Sequence, residues 1–307
     1  MASDLPPADA ASPVAPLGRA EYIEQAHFFR ALAERLRENV PAQEVLASVR
    51  EEVLATTKLP MAIDFMLSEL RHVGAFGTAM SRLEHYFTPF QAFIVSEAEN
   101  ERGRFDLRIG LEVLRREAEY RANTPNCQGL FLYEFEALAR NRLGYDRGLE
   151  AVARDPGFDA TWQTWIRTLR RQIGMVDLAD LIYVHSEYYR MRQAGIPGGG
   201  ENSPSRSGDE QAELMLSVAL FGEREGRIAL ANRRKDPLYL FASLQRQLGY
   251  PNVPRPDPAA PEQALLPQLA RRLEQLEMRL KLVEEEQRGG VDLSQFYKRP
   301  DQESATE

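Results

Sequence analysis

Two of the four histidines lie three residues after a glutamate, a spacing that suits metal binding. The pairs are Glu24/His27 and Glu69/His72. Positions i and i+3 of a helix share one face, so each pair places a carboxylate and an imidazole where both can bind one ion. Di-iron carboxylate bundles use two such pairs together with one glutamate from each of two further helices. The spacing therefore raises the hypothesis of an all-α, metal-dependent oxidoreductase.

The glutamates that would complete such a centre lie on otherwise apolar helical stripes: Glu97, Glu101 and Glu134. Three observations weigh against the hypothesis. Both Glu-x-x-His pairs precede these glutamates, whereas the ferritin-like order alternates them. Glu24 and His27 lie beside the apolar stripe of their helix, and a chain with 46 acidic residues is expected to contain chance pairs. We favour surface or hydrogen-bonded histidines, and we predict no metal and no other cofactor.

Charged residues also interrupt the apolar stripe of the longest predicted helix, and we call this set the charged rung: Glu97, Glu101, Arg104 and Arg108. Glu101 and Arg104 have the i, i+3 spacing that allows ion pairing. The charged rung is either a partly buried ion-pair network, which we favour, or the floor of a polar pocket. A further cluster, Tyr183, Tyr188 and Tyr189 with His185, suits either helix packing or the aromatic pocket of a small-molecule sensor.

The longest predicted helix is the element around which the fold is organised. Thr88 followed by Pro89 is a helix start, and the next proline is Pro125. Apolar residues occupy one face in its first half and two faces in its second half, which is typical of a helix packed from both sides. The sequence predicts an all-α, multi-helix globular bundle around a long central helix at about residues 89–121, with a separate coiled-coil-like helix at the C-terminus.

The domain organisation follows from composition and from the positions of proline and glycine. We expect a disordered tail at residues 1–18 and a helical domain at residues 19–250, with a flexible loop at 194–208. A proline-rich spacer follows at residues 251–261, then a coiled-coil helix at 262–288 and a second disordered tail at 289–307.

Residues 262–288, the heptad segment, carry apolar side chains that alternate three and four residues apart: Leu266, Leu269, Leu273, Leu276, Leu280 and Val283. This is the a/d seam of a coiled coil and predicts self-association. In the final tail, Leu293, Phe296 and Tyr297 have the spacing of one amphipathic turn, which predicts docking to a protein partner.

Composition limits the function classes. A net charge of −8 argues against nonspecific nucleic-acid binding, and Cys127 is the single cysteine, so the chain forms no disulfide with itself. The sequence contains no GxGxxG, Walker A, GxSxG or HExxH motif, and no apolar run of membrane-spanning length or signal-peptide pattern. We therefore predict a cytoplasmic, non-catalytic scaffold or adaptor that inserts into no membrane. The metal-dependent oxidoreductase and the small-molecule sensor are the alternatives.

Overall fold

The computed structural model of the chain describes residues 15–36, 40–72, 74–100, 105–194 and 219–255. These residues form thirteen α-helices, and no strand occurs among them. In chain order the helices α1 to α13 are Arg19–Arg35, Ala42–Glu52, Leu59–His72, Phe76–Ser81, Pro89–Glu99, Leu107–Ala122, Cys127–Arg140, Tyr145–Ala153, Ala160–Gln172, Leu178–Val184, Glu187–Ala194, Glu223–Ala231 and Pro237–Leu248. The predicted all-α, multi-helix globular fold is confirmed.

Most helix ends coincide with local signals in the sequence. Thr88 and Gln91 form a reciprocal capping box at the start of α5, with both hydrogen bonds at 3.2 Å. Asp159 caps α9 by accepting a hydrogen bond from the Trp162 backbone N–H at 2.9 Å. Gly249 ends α13 with φ of 70°, a backbone conformation that glycine adopts at least cost. These ends do not depend on tertiary contacts, and for that reason the sequence predicts them.

The single long helix predicted over about residues 89–121 is wrong. α5 ends at Glu99, the backbone of Asn100 is extended with ψ of 110°, and α6 begins only at Leu107. Asp106 is the N-cap of α6, and its carboxylate accepts a hydrogen bond from the Arg108 backbone N–H at 2.8 Å. A segment without proline can still divide into two helices, because an aspartate can cap the start of the second one.

The helix that is buried on every side is α7. Its residues from Gly129 to Leu138 are all buried, in an unbroken run. Around it, Phe131 contacts Trp165 with ring centroids 4.9 Å apart, and Phe221 lies 5.4 Å from both Trp162 and Trp165. A helix without a polar face fits only in the centre of a protein, so α7 takes the position that the sequence assigned to residues 89–121.

α7 contacts α6, α8 and α13, and the remaining helices pack on one another in two sets. In the first set α1 lies along α6, α4 packs on α5, and α2 and α3 pack on each other. A contact between α5 and α8 joins this set to the second, in which α8 packs on α9, while α12 packs on α10, α11 and α13. Gly226 in α12 allows this packing, because a Cβ atom there would lie 2.2 Å from Ser186 Oγ and 2.6 Å from Ser186 Cβ.

Two smaller expectations also change. Asp177 as a cap and the apolar spacing after it predict one helix to about Gln193. The structure divides this segment into α10 and α11, because the chain between them pairs with Phe221. His185 O accepts hydrogen bonds from the backbone N–H groups of Leu220 and Phe221, and Glu187 N donates to Phe221 O. The periodicity of residues 227–232 fits either a short strand or a helix turn. In the structure they lie in α12 and at its C-cap.

The packed part of the chain extends past Tyr250, where the sequence places its end. Tyr250 and Val253 are buried, and the compact unit ends at Arg255. Most of the predicted N-terminal tail, nearly all of the predicted loop, the heptad segment and the final tail lie outside the described residues. Within the described parts of the chain, no helix has the length and apolar character needed to cross a membrane.

Candidate functional site

A cluster of charged side chains lies in the interior where α6, α7 and the turn after α8 meet. We call it the Arg121 cluster: Glu117, Arg121, Glu134 and Asp155. α6 supplies Glu117 and Arg121 with the i, i+4 spacing of an ion pair, α7 supplies Glu134, and Asp155 follows the last turn of α8. The three carboxylates have no solvent exposure, and the Arg121 side chain is 3% exposed.

The guanidinium of Arg121 contacts all three acids. Its Nε donates to Glu117 Oε1 at 2.7 Å, and its Nη2 donates to Glu134 Oε1 at 2.8 Å and to Asp155 Oδ2 at 2.5 Å. Nη1 lies 3.3 Å from Asp155 Oδ1. Charge-assisted bonds of this kind are the strong class of protein hydrogen bonds, and here they join three separate elements.

The turn Asp155-Pro156-Gly157 shapes one wall of the Arg121 cluster. The Gly157 backbone N–H donates to Asp155 Oδ1 at 2.7 Å and so fixes that carboxylate. A Cβ atom on Gly157 would lie 3.2 Å from Arg121 Nη1, which a larger residue would displace. The sequence predicted this turn from its proline and glycine, but not that its aspartate faces a buried arginine.

Amides extend the polar network from the Arg121 cluster to α1 and α5. Gln91 Nε2 lies 3.2 Å from both Glu117 Oε2 and Gln25 Oε1, and Gln25 Nε2 donates to Tyr86 O at 2.9 Å. The guanidinium carbon of Arg121 lies 5.9 Å from the centre of the Tyr22 ring, within the range of a cation–π contact. Polar groups on four helices are thus connected through the interior of the protein.

The charges of the Arg121 cluster do not balance, because three carboxylates share one guanidinium. Burial raises the pKa of Glu134 well above its ordinary value, the negative charge of Asp155 raises it further, and Arg121 only partly opposes this. Burial likewise raises the pKa of Glu117. Burial alone would lower the pKa of Arg121, but Asp155, Glu117 and Glu134 outweigh it and raise that pKa. Glu134 Oε2 is buried and has no hydrogen-bond partner among the described residues, which favours the protonated form of Glu134.

The three acids also meet the distance criterion for a metal site. One ligand atom from each lies within 4.8 Å of the others, and they are the one group of three potential ligands found among the described residues. The same oxygens are, however, the acceptors for Arg121, and the cation among them is the guanidinium itself. The geometry therefore describes an internal ion-pair network that holds α6, α7 and the turn after α8 together.

The structure does not bring the sequence-predicted ligands together. Glu24 accepts a hydrogen bond from the Leu54 backbone N–H at 2.9 Å, and His27 Nδ1 lies 3.1 Å from an Arg30 nitrogen. Glu69 pairs with Arg82 at 2.5 Å.

Of the remaining candidates, His72 is exposed, Glu97 pairs with Arg147 at 3.1 Å, and Glu101 lies outside the described residues. Only Glu134 belongs to the Arg121 cluster. The metal centre that the two Glu-x-x-His pairs raised as an alternative is not assembled among the described residues.

The charged rung is divided by the break between α5 and α6. Glu97 lies on α5, whereas Arg108 lies on α6 and pairs with Asp106 at 3.0 Å. Arg104, like Glu101, lies outside the described residues. Because the two described members occupy different helices and have different partners, they do not form the single line of charges that a continuous helix predicts.

The tyrosine cluster is closed by its own packing and by arginines. Tyr183 lies 5.2 Å from Tyr189 and 6.3 Å from Tyr188, measured between ring centroids. Arg227 lies 5.4 Å from the Tyr188 ring centre, and Arg233 lies 5.5 Å from that of Tyr183. Burial lowers the pKa of His185, which keeps its imidazole neutral near neutral pH. These contacts favour packing over an aromatic ligand pocket.

Compared with known proteins, the chain matches no family model, no curated protein and no solved structure. The class that fold and site define is an all-α protein with a buried, arginine-centred ion-pair network. Its function has to be argued from its own residues.

Proposed function

We propose that this protein is a non-catalytic helical scaffold or adaptor of the cytoplasm, which self-associates through the heptad segment and engages a protein partner through its C-terminal region. The observation that carries the proposal is the packing of residues 250–254 against the helical body. Tyr250 Oη donates to Glu136 at 2.8 Å, Arg116 donates to Asn252 O at 2.7 Å, and Asn141 donates to Pro254 O at 3.2 Å.

This packing supports a scaffold because the chain leaves the body at a fixed point. The four helices joined by the polar network supply a body whose interior charges already have partners within the chain. Beyond Arg255 the sequence continues into a proline-rich stretch and then into the leucine seam. A rigid body followed by an association segment is an arrangement suited to holding partners at a defined distance.

Light scattering on the purified full-length chain tests self-association. We expect an oligomer at tens of micromolar, and we expect Leu273→Asp combined with Leu280→Asp to convert it to monomer, because both substitutions place charge in the a positions of the seam. The matched control is Gln275→Asp with Lys281→Asp, which introduces the same residue at positions outside the seam. A monomeric wild type, or equal dissociation of the control, would reject self-association.

Co-purification from the native host tests partner binding separately. One variant replaces Leu293, Phe296 and Tyr297 together by serine. The control variant carries Gln295→Ser and Lys298→Ser on the same tail. We expect a protein bound by the wild type and by the control to be lost from the triple variant. If no protein depends on these three side chains, the adaptor role of the tail fails, even where light scattering supports self-association.

A further inference from the structure

A small opening lies where α6, α7 and the chain after α13 meet, with a volume of about 380 Å³. The described residues that line it are Arg116, Arg140, Asn252, Val253, Pro254 and Arg255. Three are arginines and none is acidic. In contrast, the opening between α5 and α8 is lined by three arginines together with three acids: Glu84, Asp146 and Glu150. The first opening, which we call the arginine pocket, is therefore distinguished by its charge.

Within the described part of the chain, the arginines of this pocket retain N–H donors that no hydrogen bond uses. Arg116 uses Nε for Glu112 and Nη1 for Asn252 O, which leaves Nη2. Arg140 uses Nε for Glu136, which leaves both of its terminal nitrogens. Arg255 is exposed and has no ion pair within the described part of the chain. Each guanidinium thus has N–H groups that a ligand in the pocket can reach.

The carboxylates beside the arginine pocket do not cancel its charge. Glu112 and Glu136 face Arg116 and Arg140, and Glu112 is shared with Arg115. Arg115 also pairs with Glu119, so the three arginines of the pocket and Arg115 together face three neighbouring carboxylates, which leaves one positive charge in excess. A local positive charge in a chain of net charge −8 is a preferred place for an anion.

The wall of the arginine pocket is held in place before any ligand arrives. Val253 is 3% exposed, and the carbonyl groups on either side of it accept hydrogen bonds from Arg116 and Asn141. A site whose donors are already oriented loses less conformational entropy on binding. The same contacts hold the guanidinium of Arg116 at the mouth of the pocket.

We propose that the arginine pocket binds an oxyanion, meaning the phosphate or carboxylate groups of a small, multiply charged molecule. Guanidinium groups stay ionised in proteins, and their planar pairs of N–H donors match the oxygen geometry of both anions. The volume lies in the range of small-molecule sites. This inference goes beyond the proposed scaffold function. Both use the packing of residues 252–254, but the two fail separately, since none of the pocket residues named here belongs to the heptad segment.

Isothermal titration calorimetry on the full-length chain tests the proposal with two probes, sodium pyrophosphate and sodium citrate. Ionic strength is held at about 0.1 M with sodium chloride, so that screening is equal in every titration. We expect saturable binding of at least one probe near one equivalent per chain. Binding of pyrophosphate alone identifies a phosphate site, and binding of citrate alone identifies a carboxylate site. Saturable binding of neither probe overturns the proposal.

Two variants locate the binding. Arg255→Gln removes a charge that no described ion pair needs, and we expect binding about tenfold weaker, the usual effect of losing one charged hydrogen bond. Arg246→Gln removes an exposed arginine of α13 that lies outside the pocket lining, and we expect unchanged binding. If Arg255→Gln binds as tightly as the wild type, or if both variants weaken binding equally, the proposed site is wrong.

Discussion

Glu134 lies where its ionised form would meet two other buried negative charges and only one positive charge. A fully buried carboxyl group in that position keeps its proton, because neutralisation costs less than burying a further unpaired charge. The folded protein therefore binds a proton that the unfolded chain releases at its ordinary pKa of 4.5. This difference connects the Arg121 cluster to the pH dependence of stability.

Glu134→Gln should remove part of that pH dependence. Because the pKa of Glu134 is raised in the folded state, the folded chain holds one extra proton above pH 4.5 and up to the raised pKa. Over this interval stability falls as pH rises, by at most about 1.4 kcal/mol per pH unit. Glutamine is neutral at every pH, so we expect a shallower decline for the variant in chemical denaturation at pH 5, 6, 7 and 8.

The comparison with the wild type measures the proton of Glu134 together with the change that its removal causes in the coupled carboxyl of Glu117. Glu119→Gln is the control, since Glu119 is an exposed partner of Arg115 on the same helix. We expect its pH dependence to match that of the wild type. Identical slopes for Glu134→Gln and the wild type would mean that Glu134 is ionised in the folded protein.

Arg121→Met should destabilise the protein severely. It keeps much of the side-chain volume but leaves three buried carboxyl groups without their cation, a loss of about 3–5 kcal/mol. Arg108→Met removes an arginine of the same helix whose side chain is 47% exposed, and the loss there is at most about 1 kcal/mol. Urea denaturation at neutral pH measures both, and equal losses would refute the structural importance of the Arg121 cluster.

The sequence identified one member of the Arg121 cluster and missed the other three. Glu134 was noticed because it interrupts an apolar stripe, but the only role considered for it was that of a ligand in a metal centre that was not favoured. Glu117 and Arg121 carried a signal that went unused, the i, i+4 spacing of opposite charges between the buried Leu114 and Ala122. Asp155 carried none, because a turn aspartate is normally exposed and only the tertiary fold places this one against α6.

At the scale of elements, sequence signals were reliable where structure is local. Caps such as Thr88 and Asp159 and the glycine end at Gly249 were predictable, since each depends on a few neighbouring residues. A break near Gly103 into two helices was the alternative to one long helix, and it was not favoured because apolar periodicity continues across it. α7 was missed as the central helix because Glu134 and Glu136 give its sequence a partly polar character. In the structure these two glutamates accept hydrogen bonds inside the protein from Arg121, Arg140 and Tyr250.

Gly226→Ala tests the close contact between α12 and the chain at Ser186. Alanine favours a helix by about 1 kcal/mol over glycine, but the new methyl group would overlap the buried Ser186 side chain. Overpacking of this kind costs about 1–3 kcal/mol, so we expect a lower melting temperature. Gly144→Ala controls for the steric effect alone, because a Cβ atom there has no neighbour within 4 Å and, at the N-cap of α8, alanine brings no helix gain. A rise in melting temperature for Gly226→Ala would show that α12 can move away.

At the scale of the whole molecule, the charges beside the leucine seam specify how two chains align. With Leu266, Leu273 and Leu280 at position a, Arg272 is at position g and Glu277 at position e. In a parallel pair each g residue faces the e residue five positions later in its partner, which places arginine opposite glutamate. An antiparallel pair sets e against e and brings glutamates together, so we expect the heptad segments to associate in parallel.

Cysteine cross-linking checks this orientation. In a chain carrying Cys127→Ser, which removes the native thiol, we introduce Gln287→Cys at the next a position of the seam. Parallel association brings the two introduced thiols together, so mild oxidation should yield a covalent dimer on a non-reducing gel. Antiparallel association places them at opposite ends of the seam, where no disulfide bond can bridge them.

The comparison uses Lys281→Cys, at an outer position, which should cross-link poorly. An oligomer by light scattering in which Gln287→Cys forms no covalent dimer would exclude the parallel arrangement.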